Sequence, residues 1–168
     1  MEAGLLFYCS RRTSVCEADI VRAAGWFGLK AAGERICTRE DRLNRCMAAL
    51  FRTADVVFVV GRPEKGRPSC AEPLFRTLGV PLGEDGEPKG VRRLAGRETV
   101  GYLVESARQA IVILPDDPCE ILAMLPAAME RLRAKFGLSG GFPAKRKLDY
   151  ENLVEQSMGP PRAETSGT

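Results

Sequence analysis

The sequence predicts a three-layer α/β/α sandwich around a mostly parallel sheet, and three observations carry that prediction. Two apolar runs, Val56-Val57-Phe58-Val59-Val60 and Ile111-Val112-Ile113-Leu114, lack polar alternation, as strands covered on both faces do. Strand-like and helix-like segments alternate along the chain, which is the order of βαβ units. The 168 residues, 45% hydrophobic and 28% charged, suffice for one core of ordinary size.

Residues 4–9 read as the first strand. Residues 16–31 read as a helix, with Ile20, Val21, Ala24, Phe27 and Leu29 as a stripe that Gly25 and Gly28 weaken. Residues 33–37 form a short strand. Thr38, with Asp41 three residues on, approximates a capping box for a helix over 39–53 that presents Leu43, Met47, Leu50 and Phe51. Residues 55–60 are the strongest strand, ended by Gly61. A helix over 69–79 closes at Leu78-Gly79, where glycine suits a left-handed end. Residues 80–98, rich in glycine and charge, read as a surface excursion. Residues 100–105 and 109–114 pair as a hairpin, and 118–136 form the last helix, ending at Gly137. Asp117 is its N-cap, Pro118 fits its first turn, and Glu120 places charge near its positive end. The domain spans 1–138. Residues 139–168 form a polar, Gly/Pro-rich tail in which Leu148 to Gln156 has the pattern of a short helix.

Composition excludes several function classes. The chain has no histidine, which removes His-based triads, His metal sites and imidazole bases. A net charge of +3, and basic clusters Arg92-Arg93 and Lys145-Arg146-Lys147 without interleaved aromatics, give no nucleic-acid footprint. No apolar run reaches the length of a membrane span, and the N-terminus lacks the form of a signal peptide. Cys9, Cys16, Cys37, Cys46, Cys70 and Cys119 contain no CxxC pair and resemble no zinc site, so they read as reduced thiols of a cytoplasmic protein.

Two loops carry candidate binding residues. Open α/β sheets hold ligands at the carboxyl ends of their strands. After residues 55–60 come Gly61, Arg62, Lys65, Gly66, Arg67 and Ser69, a cradle for an anion ahead of a helix N-terminus. The spacing echoes a phosphate loop, but Arg67 stands in place of lysine and Pro68 removes an amide. After residues 109–114 come Pro115, Asp116, Asp117 and Glu120. Their carboxylates suit a magnesium ion, or simple capping of the helix.

Four stretches, in order, resemble the molybdopterin-binding domain of molybdenum-cofactor biosynthesis proteins, in particular the N-terminal domain of the competence/damage-inducible protein family. They are Gly33 to Val60 followed by Gly61, Ala71 to Leu82 (AEPLFRTLGVPL), Val100 to Glu105, and Ile111 to Leu125 (IVILPDDPCEILAML). The resemblance implies the α/β/α fold, a molybdopterin-like pterin or a nucleotide as ligand, and a homo-oligomer, dimer or trimer. It departs from the family at the ligand motif. Where the family has Thr-Gly-Gly-x-Gly and then aspartate, this chain has Val59-Val60-Gly61-Arg62-Pro63, with Arg67-Pro68 at the acid positions. The family's proline-glycine-x-proline turn becomes Pro115-Asp116-Asp117-Pro118. The expected function is therefore a non-catalytic module holding a pterin, nucleotide or other anion at 61–69 and 115–118. The alternatives are an oligomeric structural or regulatory protein with a decayed pocket, or a nucleotidyl-transfer enzyme of cofactor assembly using magnesium at Asp116 and Asp117.

Overall fold

The computed structural model describes residues 1–11 and 13–144. The short helix expected from Leu148 to Gln156, and the cluster Lys145-Arg146-Lys147, lie outside these residues. In chain order the elements are β1 (Glu2–Tyr8), α1 (Thr13–Trp26), β2 (Lys30–Cys37), α2 (Glu40–Leu50), β3 (Val56–Gly61), β4 (Pro63–Glu64), β5 (Arg67–Pro68), α3 (Ala71–Leu78), β6 (Arg92–Ala95), β7 (Val100–Glu105), β8 (Ala110–Pro115) and α4 (Pro118–Phe136).

The main sheet has the order β2-β1-β3-β8-β7-β6. The strands β2, β1, β3 and β8 are parallel; β7 and β6 add antiparallel. The continuous apolar runs explain the centre: every residue of β3 and β8 is buried. Alternate side chains go to opposite faces. Phe7, Phe58, Val112 and Leu114 pack under α1 and α4, while Leu6, Val57, Val59 and Ile113 pack under α2 and α3. Helices thus cover both faces, and the predicted three layers are observed. No described helix is long and apolar enough to cross a membrane.

α4 is the element that sequence chemistry defines best. Asp117 accepts hydrogen bonds from the amides of Cys119 and Glu120, Pro118 occupies the first turn, and Gly137 closes the helix at φ 65°. Four local expectations are corrected. The first helix starts earlier and ends sooner than 16–31. Gly28, at φ 76°, stops it, and β2 begins at Lys30. Thr38 does not cap α2: Arg39 holds that position, no side chain caps the helix, and Asp41 pairs with Arg39 instead. The excursion 80–98 contains β6, a short edge strand anchored by one buried residue, Leu94. The loop 61–69 is not an open cradle. It is a tight hairpin in which Glu64 pairs with Arg67 across a two-residue turn. Lys65 and Gly66 both take positive φ, 50° and 79°, as a type I′ turn requires.

The composition shift at Ser139 is not where packing stops. The Gly141 amide donates to the Trp26 carbonyl, and a Cβ at Gly140 would strike that same oxygen. The ring of Phe142 meets Trp26 and Phe27 edge-on at 5.6 and 5.1 Å. Phe142→Ala is therefore expected to cost about 2 kcal/mol, roughly half the penalty for a fully buried phenylalanine. Chemical denaturation measures this; an unchanged midpoint would show that residues 139–142 only rest on α1.

Candidate functional site

From β1 the chain crosses by α1 to β2 on one side, then returns by α2 to β3 on the other side of β1. That reversal makes the carboxyl ends of β1 and β3 the topological switch point, where a crevice opens by construction. Tyr8 and Gly61 are register partners there, as are Gly61 and Pro115. The fold thus brings the two sequence-predicted segments to one end of the sheet, with the Asp116 amide donating to the Gly61 carbonyl at 2.8 Å.

The crevice itself, about 300 Å³, is lined by Tyr8 at the end of β1 and Cys9 after it, Glu40 of α2, Arg62, Glu64 and Ser69 of the hairpin region, and Glu72, Pro73 and Arg76 of α3. A second cleft of about 400 Å³ adjoins it, shares Glu64, Ser69 and Glu72, and adds Lys65, Arg67 and Phe75. The Ser69 hydroxyl, common to both, is buried and has no hydrogen-bond partner among the described residues. Burial pushes the pKa of the Tyr8 phenol up, helped by neighbouring Cys9 and Glu40, so it remains a neutral donor. Cys9 holds φ 52°, uncommon for a non-glycine residue. Its amide donates to the Cys37 carbonyl at 3.0 Å and its thiol to the Thr38 carbonyl at 3.3 Å, which fixes the turn out of β1.

The predicted site residues divide. Arg62 and Ser69 face the crevice, and Lys65 and Arg67 face the adjoining cleft. The Arg67 guanidinium lies 3.5 Å from the Gly86 carbonyl, on the same cleft, and 3.5 Å from Glu87. Gly66 serves the turn. Gly61 serves packing: a Cβ there would lie 2.6 Å from Cys70 Sγ and 3.0 Å from the Cys70 amide nitrogen. Its bare backbone admits the start of α3.

Asp116, Asp117 and Glu120 do not line either cleft. Asp116 is buried and accepts from the Arg11 amide at 2.6 Å and the Cys16 thiol at 3.5 Å, so it ties the β1 loop and α1 to the end of β8. Burial and that hydrogen bond push Cys16 up to about 12, which keeps it a donor. Asp117 caps α4. Glu120 accepts from the amides of Arg97, Glu98 and Thr99 and from Thr99 Oγ1, at 2.9–3.2 Å. Among the described residues no group of three or more Cys, Asp or Glu side chains is arranged to hold a metal ion.

Sequence reasoning missed Tyr8, Cys9, Glu40, Glu72 and Arg76. They come from the end of β1, from α2 and from α3, and only the strand order brings them together. A third cavity, about 440 Å³, lies at the other end of the sheet around Phe51, Val80, Val91 and Ile111. Its amide, Gln109, is committed to the carbonyls of Phe51 and Ala54.

No protein-family profile and no curated protein sequence matches the chain. Solved structures do. CinA from Thermoplasma acidophilum, a protein of unknown function, superposes with a TM-score of 0.62 at 15% identity, over 77% of this chain and 96% of that one. A molybdenum cofactor biosynthesis protein B gives 0.55 at 14% identity, over 82% and 94%. The chain has the molybdopterin-binding-domain fold. MogA agrees, with a TM-score of 0.52 at 16% identity over 82% of this chain and 98% of that one. The likeness to CinA and to cofactor biosynthesis proteins matches the resemblance legible in the sequence, at the level of fold.

Proposed function

We propose that this chain is a binding module of the molybdopterin-binding-domain fold, which takes a small phosphorylated ligand, a pterin or a nucleotide, in the crevice between the ends of β1 and β3 and does no phosphoryl-transfer chemistry itself. One observation carries the binding half. At the switch point, Arg62 and Ser69 line one cavity with Tyr8, Cys9, Arg76 and three glutamates, and the buried Ser69 hydroxyl has no hydrogen-bond partner among the described residues. A buried hydroxyl without a partner costs free energy that a ligand oxygen would recover. The two adjoining clefts, about 300 and 400 Å³, are of the size that holds such ligands. What the acids do supports the non-catalytic half. Magnesium-assisted transfer wants carboxylates converging on the phosphates. Here Asp116 holds the β1 loop and Asp117 caps a helix, so they do not fit a magnesium site at the crevice.

A decayed pocket is the competing reading. Glu40, Glu64 and Glu72 outnumber Arg62 and Arg76 in the crevice, which weakens its pull on an anion. Melting the chain with molybdopterin-type pterin phosphates, with adenine nucleotides with and without magnesium, and with inorganic phosphate separates the two. A ligand bound only by the native state raises the midpoint, by about 2.7 kcal/mol of stabilisation at a hundredfold excess over Kd. The expected result is a rise with phosphorylated ligands, independent of magnesium, that Arg62→Ala abolishes. No rise with any of them favours the decayed pocket.

A further inference from the structure

Arg76 is the second cation of the crevice, and it is not idle. Its guanidinium bridges the cavity mouth between two helices, 2.9 Å from a Glu40 oxygen at the start of α2 and 3.5 Å from Glu72, one turn back on α3. All three side chains are more than half exposed. Such surface ion pairs hold weakly, so Arg76 can exchange partners at little cost. Arg62, by contrast, has no ion pair with a carboxylate among the described residues. An anion entering beside Ser69 meets Arg62 directly, whereas Arg76 reaches it only by leaving Glu40.

We infer that Arg76 is an anion-binding residue of this crevice and that Glu40 competes with the ligand for it. The ion pair with Glu40 is the ligand-free state; in the bound state the guanidinium turns from Glu40 onto the anionic group. An arginine suits this exchange because its planar fork pairs bidentately with a carboxylate or a phosphate alike. Glu40 then sets selectivity. Only a group of higher charge density than a carboxylate, such as phosphate or pyrophosphate, displaces it. This inference rests on the binding reading above, and the experiment distinguishes failure of one from failure of the other.

The test is calorimetric titration of the full chain with inorganic phosphate and inorganic pyrophosphate, in wild type, Glu40→Gln, Arg76→Gln, the double variant and Arg62→Ala. Because these side chains are exposed, the fold should tolerate each change, and melting temperatures check that. The expected result is that Glu40→Gln tightens pyrophosphate binding about threefold, the scale of a surface ion pair. Arg76→Gln weakens it about tenfold or more, the scale of a charge-assisted hydrogen bond. In the Arg76→Gln background, Glu40→Gln brings no further gain, because its effect runs through Arg76. Three results overturn the inference. If Arg76→Gln binds as wild type does while Arg62→Ala does not bind, the crevice holds anions without Arg76. If Glu40→Gln tightens binding equally without Arg76, Glu40 acts by its field and not by holding the arginine. If neither wild type nor any variant binds phosphate or pyrophosphate, the binding reading falls, and this inference with it.

Discussion

Glu120→Ala is expected to destabilise the chain by about 1.5–3 kcal/mol, the scale for losing hydrogen bonds to a charged acceptor. The carboxylate is 6% exposed and is the common acceptor for three consecutive amides, Arg97, Glu98 and Thr99, and for the Thr99 hydroxyl. It folds the turn between β6 and β7 around itself. Gly96 belongs to the same device, because a Cβ there would run into Glu120 Oε2. Removing the acceptor leaves three consecutive amides and the Thr99 hydroxyl without the one group that gathers them into the turn. The melting midpoint should fall by about 3–12 °C, given about 2–4 °C per kcal/mol at this chain length. The effect also carries a pH signature. Burial alone would raise the Glu120 pKa, but the bonds from Thr99 and from the amides of Glu98 and Arg97 outweigh it and hold the pKa below the ordinary carboxylate value. Its contribution is therefore complete above the unfolded-state pKa, about 4.3, and is lost as pH falls through the lower folded-state value. Urea unfolding of wild type and Glu120→Gln at pH 7 and in the acid range reads both effects. A difference in stability that fails to shrink on acidification would mean that the carboxylate charge does not hold this turn.

That role was only half visible in the sequence. Glu120 stands three residues after a capping aspartate, and its proximity to the helix end is legible from spacing alone. Its partners lie more than twenty residues earlier, in a segment whose charge and glycine content read as surface excursion. The same division runs through the fold. β3, β8 and α4 were legible because burial on both faces, or a cap with proline and a terminal glycine, writes itself into a few consecutive residues. β6 was not, because one buried leucine between arginines and a short edge strand leave no periodicity to detect. The hairpin at 63–68 hid behind a glycine spacing that suggested a phosphate loop. Yet Lys65-Gly66 flanked by two prolines carries turn chemistry as well, and a two-residue turn accounts for Gly66 without a ligand. For the site, the sequence nominated Arg62 and Ser69, and the structure puts both on the wall of one crevice. It could not place Tyr8, Cys9, Glu40 or Arg76, because their meeting depends on β1 lying between β2 and β3. The rule that ligands gather at a switch point would have found them once the strand order was known.

Gly61 is where the packing and binding readings part, and Gly61→Ala decides between them. If the bare backbone served close approach of a phosphate, alanine would reduce ligand binding and leave the unliganded chain as stable as before. The geometry predicts the reverse emphasis. The new methyl group would sit 2.6 Å from Cys70 Sγ and 3.0 Å from the Cys70 amide nitrogen, both inside van der Waals contact. Cys70 is wholly buried at the N-cap of α3, and burial pushes its thiol pKa up, so it is a packing group and not a reactive one. The start of α3 would have to retreat from the sheet and carry Leu74 and Phe75 with it. Overpacking of this kind costs about 1–3 kcal/mol, and the melting midpoint without any ligand should drop by about 2–12 °C. Cys70→Ala removes the sulfur but leaves the amide nitrogen, so it should recover part of the loss in the double variant and none of it alone, a coupling that a double-mutant cycle measures. A Gly61→Ala chain that melts with wild type would show that α3 yields without cost, and loss of ligand binding by that chain would then assign the glycine to the ligand.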